Sequence, residues 1–388
     1  MKNRVHYGEF TLDYWLEQII SGGIVLPEYQ RSFVWSKEQI KNLINSIGKD
    51  EFVPPITIGK LDDKNIIIDG QQRLTSIVLA YLNILPSERR YKKTIKVEGD
   101  NEDDELEEEH YFEWTINTLK ELGTNINEIK NAIRGNDDYE ILGIHWVNEE
   151  FLKKHYLGFS YIIPHTATSE EDRHKFFSTI FRNVNIGGTN LLKTESRKSL
   201  YYLKKVYVPL FTPDFAKTIF VKQFGADSQP IDFLRELALV FDYSKNNDSN
   251  KVMKGYKTKS ELYYEMFISD VVNPASASGT FKDINVVMST AEIESKMNGL
   301  KDEWTKLSMP QELSSIIDVD IYMFGLIYWV LIEKKQLDDI KIEELKNKLN
   351  DKIRQFKEDP SHTKSPASLK YLRERISASI DVFRDCLI

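Results

Sequence analysis

Apolar and polar positions along the chain follow two regimes. Up to about residue 200, short apolar runs alternate with amphipathic stretches; beyond it, long periodicities of 3.6 residues dominate. In the first regime Leu12 to Ile20 reads as a helix, and Ile24 to Leu26, Ile56 to Ile58, Ile66 to Ile68 and Leu157 to Ile163 read as extended. Ile40, Leu43, Ile44 and Ile47 share one helical face, and Ser36-Lys37-Glu38-Gln39 ahead of them is a capping box. Phe112 to Leu122 and Glu170 to Arg182 also read as helices. In the second regime the helical stretches are Ile231 to Phe241, Ser260 to Val271, Ala291 to Met309, Val319 to Lys335 and Ile340 to Phe356. Helices of that length need a packed bundle, so an all-α C-terminal half is expected. The pattern predicts an α+β chain with a first domain over 1-200 and a helical domain over 201-388. The longest apolar run, Ile321 to Ile332, is shorter than the roughly 18 residues that span a bilayer and reads as a buried helix.

The sharpest junction is Ile66-Ile67-Ile68-Asp69-Gly70-Gln71-Gln72-Arg73-Leu74-Thr75. A buried strand runs into a glycine turn, and Leu74, Ile77, Val78 and Tyr81 then recur at helical spacing. The polar run sits where a helix begins, and there unpaired N–H groups and the helix dipole favour an anion. Arg73 adds a planar, permanently charged fork matched to phosphate oxygens. Local chemistry leaves a second reading open, with Asp69 as a helix cap and Gln71, Gln72 and Arg73 as solvated first-turn residues. Ile24 to Trp35 is another apolar run, and it contains a second Gln-Arg pair, Gln30-Arg31.

The order Leu26-Pro27-Glu28-Tyr29-Gln30-Arg31-Ser32-Phe33-Val34-Trp35, a helix, Pro54-Pro55-Ile56, then Asp69-Gly70-Gln71-Gln72-Arg73-Leu74-Thr75 resembles the N-terminal domain of GmrSD-type restriction systems. That family is similar in fold to ParB and sulfiredoxin. A third element agrees: Phe176, Phe177, Ile180 and Phe181 lead into Arg182-Asn183-Val184-Asn185-Ile186-Gly187-Gly188-Thr189, then Glu195-Ser196-Arg197. The resemblance implies a nucleotide-binding, often nucleotide-hydrolysing module of prokaryotic defence, with a nucleoside triphosphate and Mg²⁺ as cofactors. Under it, Arg73 and Arg31 would clamp phosphates, and the Gln71 and Gln72 amides would orient a phosphate or an attacking water. Asp69 would hold Mg²⁺ or its waters, since such ions need few carboxylates besides substrate phosphates. Gly70, Tyr29 and Gln30 would sit beside them, and Arg182, Asn183, Asn185 and Lys193 would complete the nucleotide pocket. Turn and cap roles for Asn183 and Asn185 remain open, and Tyr29 and Trp35 also fit core packing.

Charge narrows the partners. The net charge of -8 lacks the basic footprint of a nonspecific DNA binder, although part of it comes from one block between Glu98 and Glu109. Flanked by strand-like segments, that block near 98-110 reads as a solvated hairpin tip or loop. Many relatives in the resembled family carry a His-Asn-His nuclease domain. Seven scattered histidines and a single cysteine, Cys386, offer no such centre, so cleavage, if the system cleaves at all, would need a separate nuclease subunit or a centre of another kind. Asp320 with Glu333-Lys334-Lys335 mimics a nuclease carboxylate-lysine pattern but lies on a predicted helix. Gly187 to Thr194 mimics a P-loop, with Leu192 where a glycine is required. Lys364, Lys370, Arg373 and Arg375, on a helix whose apolar face holds Leu369, Leu372 and Ile376, read as a solvated basic face or a nucleic-acid contact. One cysteine and no signal-like start point to the cytoplasm, with no membrane partner. Two functions follow: a metal-dependent nucleoside triphosphatase gating a defence response, or a ParB-like DNA or nucleotide sensor that recruits the nuclease with little turnover.

Overall fold

The computed structural model describes residues 4–27, 32–61, 64–97, 107–164, 169, 172–173, 176–177, 179–180, 193–222, 227–256 and 259–388. The chain divides into two compact units, Met1–Lys93 with His110–Leu203, and Thr94–Glu109 with Lys204–Ile388.

The first unit is built on a five-stranded mixed sheet. Its strands are β1 (Arg4–Thr11), β2 (Ile24–Val25), β3 (Ile56–Leu61), β4 (Lys64–Asp69) and β5 (Tyr156–Ile163), in the order β1-β5-β3-β4-β2. β1 runs antiparallel to β5, β3 is parallel to β5 and antiparallel to β4, and β2 is parallel to β4. Helices α1 (Leu12–Ser21), α2 (Lys37–Gly48) and α3 (Gln71–Leu82) supply the core opposite the strands. Thr11 caps α1, and Ser36 and Gln39 form both bonds of the capping box that starts α2. Trp15, Ile40, Ile44, Leu74, Val78 and Trp114 share one apolar cluster. α3 is buried nearly all round, which is why its polar first turn lies inside the unit.

The stretch from Phe112 to Leu122 departs from the single helix expected of it. A strand, Glu107–Phe112, gives way to a short helix, Ile116–Lys120, and the strand pairs with Lys92–Val97 across the acidic block. The reason is tertiary. The Trp114 carbonyl accepts the Phe33 N–H at 2.8 Å, Glu113 N–H goes to Tyr91, and Thr115 caps the helix that follows.

The second unit is mainly helical: α4 (Phe233–Asn246), α5 (Ser260–Val272), α6 (Ile293–Lys306), α7 (Ile316–Leu326), α8 (Ile342–Glu358) and α9 (Leu369–Arg384), with a small three-stranded sheet. α7 is buried from Ile317 to Leu326 and continues into a π-helical turn, Ile327–Ile332. Gly325 lets it meet α9: a Cβ there would stand 2.3 Å from the Phe383 ring and 2.7 Å from the Ser379 carbonyl. Ser379 joins the two helices, its hydroxyl accepting the Gly325 N–H at 2.7 Å and donating to the Ile321 carbonyl at 2.8 Å.

Charge is also buried in this unit. Asp320 lies between Arg235 Nη1 and Arg375 Nε, each 2.6 Å away, and Arg235 also meets Glu236 at 2.5 Å. Burial raises the Glu236 pKa well above the usual carboxylate range. Arg375 is therefore not on the solvated basic face expected of α9; it is fully buried and also donates to the Pro366 carbonyl. Asp320 is likewise enclosed while Glu333, Lys334 and Lys335 are exposed, so the nuclease-like pattern does not converge on one site. Among the described residues no helix is long and apolar enough to cross a membrane.

Candidate functional site

β4 delivers three buried isoleucines, Ile66, Ile67 and Ile68, to the middle of the sheet region and ends at Asp69. Gly70 then turns the chain at φ +94°, a left-handed conformation that few residues other than glycine adopt cheaply. Space excludes a side chain as well: a Cβ on Gly70 would lie 2.3 Å from Ile56 Cδ1 and 3.1 Å from an Arg73 nitrogen. Gly70 is the N-cap of α3, with no side-chain cap bond and no acid in the first turn. The alternative reading of Asp69 as that helix's cap does not hold.

Asp69 faces Arg73 instead. Arg73 Nη2 donates to Asp69 Oδ2 at 2.7 Å and to the Pro55 carbonyl at 3.3 Å. The Arg73 side chain is 16% exposed and that of Asp69 36%. Arg73 Nε is buried with no hydrogen-bond partner among the described residues. A buried donor left unmet costs about 1–3 kcal/mol, so an incoming anion that accepts from it would relieve that penalty. One face of the fork is thus fixed by Asp69 and Pro55 while another donor is available.

Gln71 and Gln72 are both buried. Gln72 is engaged at both ends of its amide: Oε1 accepts the Val34 N–H and Nε2 donates to the Ser32 carbonyl, each at 2.9 Å. It ties the segment that follows the first Gln-Arg pair to the first turn of α3. Phe33, between those two contacts, is buried edge-on against Trp114 at 5.9 Å, and Trp35 packs partly buried on the same core.

The structure therefore brings Asp69, Gly70, Gln71, Gln72 and Arg73 together. Tyr29, Gln30, Arg31, Arg182, Asn183 and Asn185 lie outside the described residues, as does the P-loop-like stretch up to residue 192. Lys193 begins a helix, Lys193–Tyr201. Sequence reasoning missed the backbone partners Ser32, Val34 and Pro55. Only Pro55 left a signal, because a proline pair before a strand fixes extended backbone there. Among the described residues no three His, Cys, Asp or Glu side chains gather into a metal-binding group. Asp69 would therefore hold a divalent ion only with phosphate oxygens and water as the other ligands, which is the usual Mg²⁺ arrangement.

Residues 12–202 match the family described as GmrSD restriction endonuclease, N-terminal domain. That stretch is similar to a GmrSD-type N-terminal domain. It takes in the Asp69 turn, the Gln-Arg segment and the third element, and it ends one residue before the first unit does. An uncharacterized protein of Methanocaldococcus jannaschii is 27% identical over 90 residues, covering 17% of this chain and 16% of that relative's length. The chain thus spans less than a fifth of the curated relative it matches. A solved Pnob8-like ParB-N domain aligns over 90% of this chain and 99% of its own, at 10% identity and a TM-score of 0.26, a likeness too slight to bear on the fold.

Proposed function

We propose that this protein is a component of a prokaryotic restriction or anti-phage defence system, and that its GmrSD-type N-terminal domain binds and hydrolyses a nucleoside triphosphate. The observation that carries the reading is the Arg73–Asp69 pair at the uncapped start of α3, with a buried Arg73 donor unmet. The family description, a restriction endonuclease domain, supports the defence setting.

In this reading Arg73 donates to the phosphate oxygens, and the backbone N–H groups of α3's first turn donate to those that remain. Asp69, whose Oδ2 accepts from Arg73, would hold Mg²⁺, which would neutralise charge on the phosphates. Gln71 orients the phosphate or the attacking water. Gln72 acts one step back, holding the neighbouring segment against the turn.

Phosphate release from the four common nucleoside triphosphates, with and without Mg²⁺, tests the proposal on the purified full chain. Asp69→Ala and Arg73→Ala should each lower turnover about 100-fold, the scale seen when one transition-state donor is removed. Robust release surviving both substitutions would sink the assignment. Tight nucleotide binding with no turnover would instead support the sensor reading.

A further inference from the structure

The helical unit holds a cleft of about 910 Å³ alongside α9, walled by α8 and by the turn at Ser249 and Asn250. Small-molecule sites typically measure about 300–1,000 Å³. Its charge is divided by position. Lys352, Lys370 and Arg373 lie toward the N-terminal end of α9 with Glu374 among them, and Asp381 and Asp385 lie toward its C-terminal end, where Lys348 is already paired with Glu344 at 2.7 Å.

The cations at the first end lack acidic partners. Lys352 donates to the neutral Gln355 Oε1 at 2.8 Å, Lys370 lies over the Tyr371 ring at 5.3 Å, and Arg373 donates twice to the Val252 carbonyl, at 3.0 and 2.7 Å. Among the described residues none of the three makes an ion pair. Of the acids lining the cleft, Asp381 pairs with Arg384 at 2.6 Å, and Glu374 hydrogen-bonds the His362 ring at 3.1 Å. Three positive charges against the one carboxylate of Glu374 leave this end of the concave surface net positive, a condition that favours anion capture. The dipole of α9 adds to them, since its 16 residues start at this end with no acid in the first turn.

The other end suits hydrogen-bond donors. Ser249, Asn250 and Ser377 line the middle, and the carboxylates of Asp381 and Asp385 accept beyond them. From Lys370 to Asp381 the helix rises about 16 Å, room for a phosphate at one end and a nucleoside at the other.

We propose that this cleft is a second binding site, for a phosphate-bearing small molecule of nucleotide size whose phosphate meets Lys352, Lys370 and Arg373 and whose donor-bearing end meets Asp381. All of its residues belong to the helical unit, so it shares no residue with the Asp69 turn and does not depend on the proposed chemistry there.

The test uses the full chain carrying Arg73→Ala, which removes the first site's phosphate clamp. Calorimetric titration with pyrophosphate and with ATP should show binding that weakens with salt. Lys370→Glu, at an exposed position, and Lys352→Gln should each weaken both probes at least about tenfold. Asp381→Asn should weaken ATP and leave pyrophosphate unchanged, which separates a nucleotide from a free phosphate. Circular dichroism melts of the variants report folding. Absence of binding by either probe in the Arg73→Ala chain, or affinities untouched by Lys370→Glu and Lys352→Gln, would overturn the site. Capture of duplex DNA in their place, lost with Lys370→Glu, would also overturn it.

Discussion

Gln72 shows what one side chain does for the turn. Its amide satisfies two backbone groups some 40 residues earlier, Ser32 and Val34, from a position 6% exposed. Gln72→Ala leaves both partners unmet, so it should destabilise the first unit by roughly 2–4 kcal/mol, read as a lower urea midpoint. Gln72→Glu keeps the acceptor for Val34 and loses the donor to Ser32, and its midpoint should fall between the two; an alanine variant as stable as the parent would show that the tether carries no load. The residue's type and place were legible in the motif, but its partners were not. Helix periodicity marks which residues turn inward, whereas a bond from α3 to a non-repetitive segment leaves no local pattern. Gly70 was legible for the opposite reason, because a glycine placed between a buried strand and a helix marks a turn that uses its backbone freedom.

At the scale of elements, the bundle is organised around α7, whose burial forces Asp320 to find two arginines. Arg375→Ala removes one of them and should cost about 3–5 kcal/mol by urea unfolding, because it strands a buried carboxylate. His362, at the edge of this network, makes the bundle respond to acid. Burial first, and Arg375 second, lower its pKa below 6.5, with Glu374 and Asp359 acting in the opposite sense. The group's contribution is therefore complete above pH 6.5 and lost as pH falls through the lowered folded value. His362→Gln should melt below the parent at about pH 8, and the gap should narrow by about pH 5; a gap that widens on acidification would contradict this sign. The amphipathic helices were readable because each keeps a 3.6-residue stripe. β1 was not, since Arg4–Thr11 is largely exposed and joins the sheet through backbone pairing with β5. Nor was Arg375, whose neighbours on α9 suggested a solvated face.

For the whole molecule, the fully buried core that frames the Asp69 turn runs, among the described residues, from Leu12 to Leu157, with Phe10, Phe159 and Tyr161 packed against it, and all of these belong to the first unit. A fragment of residues 1–203 should accordingly unfold in one cooperative transition by circular dichroism, with the Gln72→Ala shift preserved. A broad, non-cooperative melt would show that the core needs the helical unit. The change of regime near residue 200 was visible in the sequence because hydrophobic period is a long-range property of a segment. The assignment of Thr94–Glu109 to the second unit was not, since the chain leaves the first unit and returns to it.

That excursion and return, together with the contact between α7 and α9 at Gly325, bears on how a cell would meet incomplete copies of this protein. A chain that stops short of residue 369 has made α7 but not the helix that covers it, and it carries Asp320 without Arg375. Its most apolar helix would lie open to proteases and chaperones. Premature termination between α7 and α9 should therefore expose the helical unit to clearance even where the first unit folds.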